Sequence, residues 1–267
     1  MPPFIAAILG VVEGLTEFLP VSSTGHLIVA NALLFGDHEP AGSKAFEIVI
    51  QLGALLAVVV HYRRLLGERI GGLFARDPRA LKLALNLLIA FVPVAVLGLL
   101  FHKAIKAHLF GMFPVAIALV VGGVVMVAVE RLRRGRTGEE GLDAVTWQRA
   151  ALIGLGQCIS LFPGSSRAMC TILTGELTGL STGTAAEFSF LLALPSLGAA
   201  TVYEGWSSRH ELVSGVGATS LVVGMVVSFF VAWAVIGAFL RYLERRGLAI
   251  FGVYRVVVGL ALLWFVR

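Results

Sequence analysis

Residues Glu13–Leu27 read EGLTEFLPVSSTGHL. The chain is apolar ahead of this stretch, and apolar residues resume behind it. Inside it stand two glutamates, a proline, three successive hydroxyls and a histidine. On a soluble protein such a run would be an ordinary surface turn, but the composition excludes that setting. Of 267 residues, 58% are hydrophobic and 14% charged, and the mean hydropathy is +0.91. Soluble domains hold roughly 45–50% apolar and about 25% charged residues. The sequence therefore predicts an all-α polytopic membrane protein, with residues 1–267 forming one integral membrane domain. Polar groups placed together in such a chain need a reason.

A helix needs about 20 apolar residues to cross a bilayer. Six segments meet this: 46–62, 83–101, 112–129, 184–203, 212–240 and 248–266. Regions 4–36 and 150–180 do not. In the first an apolar run breaks at Pro20 and resumes near His26; in the second the break is PGSSR, Pro163–Arg167. Each half is too short to cross alone, so each region reads as a re-entrant helical hairpin. Irregular backbone at membrane depth is tolerated only where protein buries it or where it lines a watery cavity. The two breaks are therefore where a site is expected.

The net charge of +5 would suit a nucleic-acid binder, but the basic residues gather in short loops between apolar runs. Arg63, Arg64, Arg69, Arg76, Arg79 and Lys82 share one loop; Arg131, Arg133, Arg134, Arg136 and Arg149 a second; Arg241, Arg245 and Arg246 a third. On the other side the loops between spans carry Lys44, Lys103, Lys106 and Arg209. This is the signature of membrane orientation, with the basic loops, including 131–149, in the cytoplasm. The termini then face outward, the first hairpin enters from outside and the second from inside. No cleavable leader is expected, since the first apolar run carries Glu13 and Glu17 and no basic stretch precedes it. Cys158 and Cys170 lie in apolar segments and read as small buried residues.

The two halves resemble each other. AAILGVVEGLTEFLPVSS begins at Ala6 and AALIGLGQCISLFPGSS at Ala150. Gly10 matches Gly154 and Glu13 matches Gln157. With one gap, Pro20, Ser22 and Ser23 match Pro163, Ser165 and Ser166. A hairpin and three spans follow in each case, so residues 1–130 and 150–267 read as an inverted-topology repeat, a plan in which broken helices meet around a substrate near the midplane.

The chemistry of the breaks is specific. Glu13 and Glu17, spaced i,i+4, share one helix face; as bare carboxylates they repel, and a cation or a proton relieves this. Mg²⁺ is commonly held by one or two carboxylates plus phosphate oxygens. The plainer alternative is that they cap or pair within the bundle. Ser22, Ser23 and Thr24 stand where a helix restarts. Hydroxyls there cap free N–H groups, and the same N–H groups bind phosphate. A serine becomes a nucleophile once its proton is removed, and His26 is near enough in sequence to serve as base or as the nucleophile itself. Arg167 suits a phosphate through its paired donors; an ion pair with Glu187 or Glu47 is the structural alternative. Gly164, Ser165 and Ser166 would turn backbone N–H groups toward an anion. Cation, arginine, helix N-termini and an activated nucleophile together point to phosphoryl transfer on a lipid-borne substrate.

These residues resemble the bacitracin-resistance type of bacterial undecaprenyl pyrophosphate phosphatases. EGLTEFLPVSSTGHL matches that family's first signature, and FEIVIQLGALLAVVV from Phe46 and EFSFLLALP from Glu187 are similar to its members. The resemblance implies removal of the terminal phosphate from undecaprenyl pyrophosphate, recycling the cell-wall carrier lipid in the bacterial inner membrane, with a divalent cation (Mg or Ca) and a site open to the periplasmic side. It implies Glu13 and Glu17 in the acidic metal site, Glu17, Ser23, His26 and Arg167 as catalytic, and Ser22, Thr24, Gly164, Ser165 and Ser166 against the substrate. Membrane lipids are the other expected partners, a homo-oligomer is left open, and no nucleic acid is expected. The second signature departs from the family's Pro-Gly-x-Ser-Arg-Ser-Gly: PGSSRAM has Ala168 and Met169 in the last two places.

Three routes remain open by spacing alone: attack by Ser23 aided by His26, by His26, or by water. A transporter or flippase of a polyprenyl phosphate lipid is the rival class, and a paralogous phosphatase for another lipid diphosphate the nearer alternative. Arg255, inside the last span, is expected either to pair with a carboxylate or to snorkel.

Overall fold

The computed structural model describes residues 1–36, 38, 40–108, 111–133, 135, 137–243 and 245–265, and only the backbone of 102–108. Arg134 and Arg136, and the side chains of His102, Lys103, Lys106 and His108, lie outside the described residues. The helices are α1 Pro3–Thr16, α2 Ser23–Phe35, α3 Ser43–His61, α4 Arg63–Phe74, α5 Pro78–His108, α6 Met112–Arg133, α7 Trp147–Gln157, α8 Arg167–Leu177, α9 Thr182–Ser207, α10 Arg209–Glu211, α11 Ala218–Leu243 and α12 Ala249–Phe265. Among the described residues there is no strand, only an isolated bridge between Glu139 and Leu180.

Helices α3, α5, α6, α9 and α11 are long and apolar enough to cross a membrane. Helix α12, with 17 residues, stands at the short end of the range of roughly 17–25. The chain is a multi-pass membrane protein, and all six expected spans are helices. One boundary differs. Residues Leu212–Val216 form a wide π turn and α11 begins only at Ala218, because Gly217 at φ 87° ends the turn.

The segment 63–82, expected as a loop, holds a whole helix. In α4 no residue is buried, and Ile70, Leu73 and Phe74 are exposed on one side of it. Arg69 lies 3.7 Å from Asp143, and the Lys82 amine donates to the Asp143 carbonyl at 2.5 Å. The first two basic loops thus meet at one end of the bundle. At the other end a Cβ on Gly42 would sit 2.7 Å from the carbonyl oxygen of Glu211.

The expected hairpins are the pairs α1–α2 and α7–α8. None of the four helices exceeds 14 residues, about 21 Å at the α-helical rise. They sit inside the bundle by close backbone approach. A Cβ on Gly10 of α1 would lie 2.6 Å from the Gly224 carbonyl of α11, and one on Gly154 of α7 would lie 2.6 Å from the Ala90 carbonyl of α5. Helix α6 meets α12 in the same way at Gly123 and Gly252.

Candidate active site

Each break is built alike. Helix α1 ends at Thr16, the chain turns through Pro20, and α2 restarts at Ser23 with Ser22 as its N-cap. Helix α7 ends at Gln157, a 3-10 turn follows over Cys158–Leu161, and α8 restarts at Arg167 with Ser166 as its N-cap. Both caps have left-handed backbone, φ 74° at Ser22 and φ 68° at Ser166, a conformation that costs a non-glycine residue of order 1–3 kcal/mol. In return each hydroxyl accepts from a freed N–H, Ser22 from Gly25 at 3.3 Å and Ser166 from Met169 at 3.2 Å.

With Ser22 spent on the cap, Ser23 is free to turn inward. Its Oγ–H donates a 2.5 Å hydrogen bond to Oε2 of Glu17, and both residues are buried. The other Glu17 oxygen, Oε1, accepts from Nη2 of Arg167 at 3.3 Å. Arg167 also donates through Nη1 to the Ser189 carbonyl at 2.8 Å and to the Ser189 hydroxyl at 3.2 Å, and its guanidinium lies 5.6 Å from the centre of the Phe18 ring. Its Nε, buried, has no acceptor. Arg167 therefore pairs with neither Glu187 nor Glu47, the two carboxylates weighed from sequence. Glu47 accepts from Asn31 instead.

One turn before Glu17, Glu13 is wholly buried and no donor reaches either carboxylate oxygen. Glu17 and Glu47 are both close enough to repel it. Such a carboxylate fits a cation, since an acceptor buried without donors is costly. No group of three or more metal-ligating side chains is present among the described residues, so any ion here would draw further oxygens from a substrate.

His26 makes no hydrogen bond to Ser23. Its Nδ1–H donates to the Ser22 carbonyl at 2.8 Å, and Nε2 is 2.7 Å from the Tyr254 hydroxyl. Thr24 is half-buried; Ser165 is buried, and its N–H donates to Phe162 at 3.1 Å. Gly164, at φ 92°, presses against Val115, where a Cβ would meet the carbonyl oxygen at 2.8 Å.

Arg255 neither pairs with a carboxylate nor snorkels. It is fully buried and donates to three backbone carbonyls: Pro20 at 3.1 Å, Ala118 at 3.1 Å and Gly164 at 2.9 Å. One guanidinium thus satisfies carbonyls freed at both breaks. The two residues that depart from the family signature, Ala168 and Met169, are buried, and the Met169 sulfur packs with Arg255 around Gly122. They fill space behind the site. Ser189, Phe18 and Tyr254 were not foreseen as site residues; a serine among the bulky side chains of EFSFLLALP was the one available signal.

Known proteins are similar to this chain over nearly its whole length. The undecaprenyl-diphosphatase of Sorangium cellulosum (strain So ce56) is 58% identical over 264 residues, covering 98% of this chain and 85% of that protein. Undecaprenyl-diphosphatase 2 of Rhodospirillum rubrum is 49% identical over 259 residues, 97% and 93% of the two chains. That of Rhizorhabdus wittichii is 45% identical over 258 residues, 96% and 95%. The profile described as bacitracin resistance protein BacA matches residues 6–261, and the chain, with its two capped breaks meeting at Glu17 and Arg167, belongs to that family.

Proposed function

We propose that this protein hydrolyses undecaprenyl diphosphate to undecaprenyl phosphate and inorganic phosphate, returning the carrier lipid to cell-wall synthesis. The observation that carries the mechanism is the buried hydroxyl of Ser23 on the carboxylate of Glu17, with Arg167 on the opposite oxygen. A serine needs a proton acceptor to attack phosphorus, and Glu17 is in place as that acceptor. A carrier has no use for such a pair, which speaks against the transporter reading.

The terminal phosphate enters between the restarting helix α2 and Arg167. Arg167 has an unused Nε–H and donors that bind phosphate oxygens in a fork. Ser23 Oγ attacks the terminal phosphorus as its proton passes to Glu17. The bond from that phosphorus to the bridging oxygen breaks, and undecaprenyl phosphate leaves with that oxygen. Glu17 releases that proton to solvent, and water attacks the phosphoserine; one of the water's protons stays on the phosphate and the other restores the Ser23 hydroxyl. N–H groups at the starts of α2 and α8 face the charge that gathers in these steps. Bound by Glu13 and Glu17, a Mg²⁺ or Ca²⁺ ion would neutralise the charge of the diphosphate.

The likeness of the two breaks supports an inverted repeat of residues 1–130 and 150–267. Both restart on a left-handed serine cap, Ser22 and Ser166, spaced as Glu13 is from Gln157, so the caps correspond without the gap that sets Ser23 against Ser166 in sequence; Glu13 and Gln157 are alike in being fully buried with unpartnered polar atoms. With the basic loops in the cytoplasm of a bacterial inner membrane, the first hairpin opens outward, and the diphosphate arrives from the periplasmic leaflet.

The test is phosphate release from undecaprenyl diphosphate by the purified protein in detergent, with added Mg²⁺ or Ca²⁺. Release that survives both Glu17→Ala and Arg167→Ala would overturn the assignment of the site; no release at all would overturn the reaction.

A further inference from the structure

Helix α4 has three unlike sides. Leu65, Arg69 and Gly72 face the protein: Leu65 packs against the core, Arg69 reaches Asp77 and Asp143 at 4.0 and 3.7 Å, and a Cβ on Gly72 would lie 2.9 Å from that of Ala80. Arg64, Glu68 and Gly71 form a second side, exposed throughout. Leu66, Ile70, Leu73 and Phe74 form the third, at the i, i+4, i+7, i+8 spacing of an apolar stripe. Such a stripe normally covers a core, yet Phe74 is 88% exposed and Ile70 54%.

Neither water nor hydrocarbon suits this helix. A row of large apolar side chains is costly to leave in water, and the charges of Arg64 and Glu68 are costly to place among acyl chains. The boundary of a membrane meets both demands at once. The chain also holds α4 at that boundary. Only Tyr62 separates it from α3, and only residues 75–77 separate it from α5, and both neighbours are long and apolar enough to cross.

Charge decides which lipid fits. Arg63, Arg64 and Arg76 are exposed, and none of them makes an ion pair among the described residues. Arg76 closes α4 with φ 55°, a conformation that glycine takes freely and a side chain takes at a cost. A phosphate contact through its side chain would offset that cost. From the stripe and these arginines we propose that α4 is a docking surface for acidic phospholipids. It lies in the plane of the membrane boundary, with Leu66, Ile70, Leu73 and Phe74 among the acyl chains and Arg63, Arg64 and Arg76 on lipid phosphates.

The test uses the full chain in nanodiscs of phosphatidylcholine with a minor share of phosphatidylglycerol. A bimane label is attached in Ile70→Cys, on the stripe, or in Glu68→Cys, on the polar side. The unsubstituted chain, labelled in parallel, is the blank for Cys158 and Cys170. Iodide should quench the label at position 68 and spare the one at position 70. Lipids with a chain nitroxide should do the reverse. At position 70, nitroxide phosphatidylglycerol should quench about fivefold more strongly than nitroxide phosphatidylcholine, roughly the factor that one arginine contributes at an acidic surface. Arg63→Gln, Arg64→Gln and Arg76→Gln together should remove most of that preference. Iodide quenching at position 70 equal to that at position 68 would place α4 in water and overturn the proposal. Protection at position 70 from iodide and from both lipids would mean that protein, such as a second copy of the chain, covers the stripe. That too would overturn it, as would equal quenching by the two lipids or a preference unchanged in the triple variant.

Discussion

Arg167 and Glu17, 150 positions apart in the chain, meet at 3.3 Å with both side chains buried. The pair joins the second break to the first, and neither partner can be removed without leaving the other charged and enclosed. Glu17→Gln takes away the acceptor for the Ser23 proton, and phosphate release should fall about a hundredfold to ten-thousandfold. Arg167→Lys keeps the charge but lacks the fork that spans Ser189 and Glu17, and a loss of about a hundredfold or more is expected. Single-turnover release of labelled phosphate checks both. A lysine variant as fast as wild type would mean that only charge matters at position 167.

The three hydroxyls at the restart of α2 should behave differently. Ser22 caps the helix and Ser23 faces Glu17. Acid quenching during turnover of a terminally labelled substrate should leave phosphate bound to wild type, to Ser22→Ala and to Thr24→Ala, but not to Ser23→Ala. Label retained by Ser23→Ala would move the covalent step to another residue.

At Ser166 glycine should be tolerated better than alanine. Alanine loses the cap to Met169, worth about 1 kcal/mol, and keeps the strain of φ 68°. Glycine also loses the side-chain cap, but it adopts that backbone freely, so it should exceed alanine by about 1–2 kcal/mol. Thermal unfolding in detergent measures the order; alanine equal to or above glycine would show that the left-handed cap stores no strain.

An acid-sensitive tie lies among the basic loops. The guanidinium of Arg149 donates to both oxygens of Glu139, at 2.9 and 2.5 Å, and holds that carboxyl below the usual range. A carboxylate with a lowered pKa stabilises the fold fully above its unfolded pKa of about 4.3. That contribution is lost as pH falls through the lower, folded value. Wild type should therefore have a higher Tm than Glu139→Gln at about pH 7, and the two should converge toward about pH 3. Curves that stay parallel through the acid range would show that the tie adds nothing to stability.

Much of this was legible in the chain. Pro20 and PGSSR marked both breaks, because proline and glycine interrupt an apolar run unmistakably. The polar residues of the first break lie within one short stretch, so Glu13, Glu17 and Ser23 could be read together as candidates. What stayed hidden was partnership across the fold. Nothing near Arg255 in sequence points to Pro20 or Gly164, and Ser189 looks like any small residue in an apolar helix. Helix α4 was missed for another reason: its Arg and Gly residues dilute the apolar signal, and the face with Ile70, Leu73 and Phe74 covers no core. The start of α11 shifted because Leu212–Val216 is as apolar as the span it precedes, and only Gly217 separates them.

The three carbonyls held by Arg255 also bear on the order of assembly. Helix α12 follows in the chain every residue that Arg255 secures. Synthesis completes the sequence of both hairpins before it supplies the donor that fixes their broken ends. The meeting of the two breaks therefore depends on the last helix of the chain, and is complete only when that helix is in place. A chain cut short before that point would carry every residue of the chemistry and no rigid place to perform it.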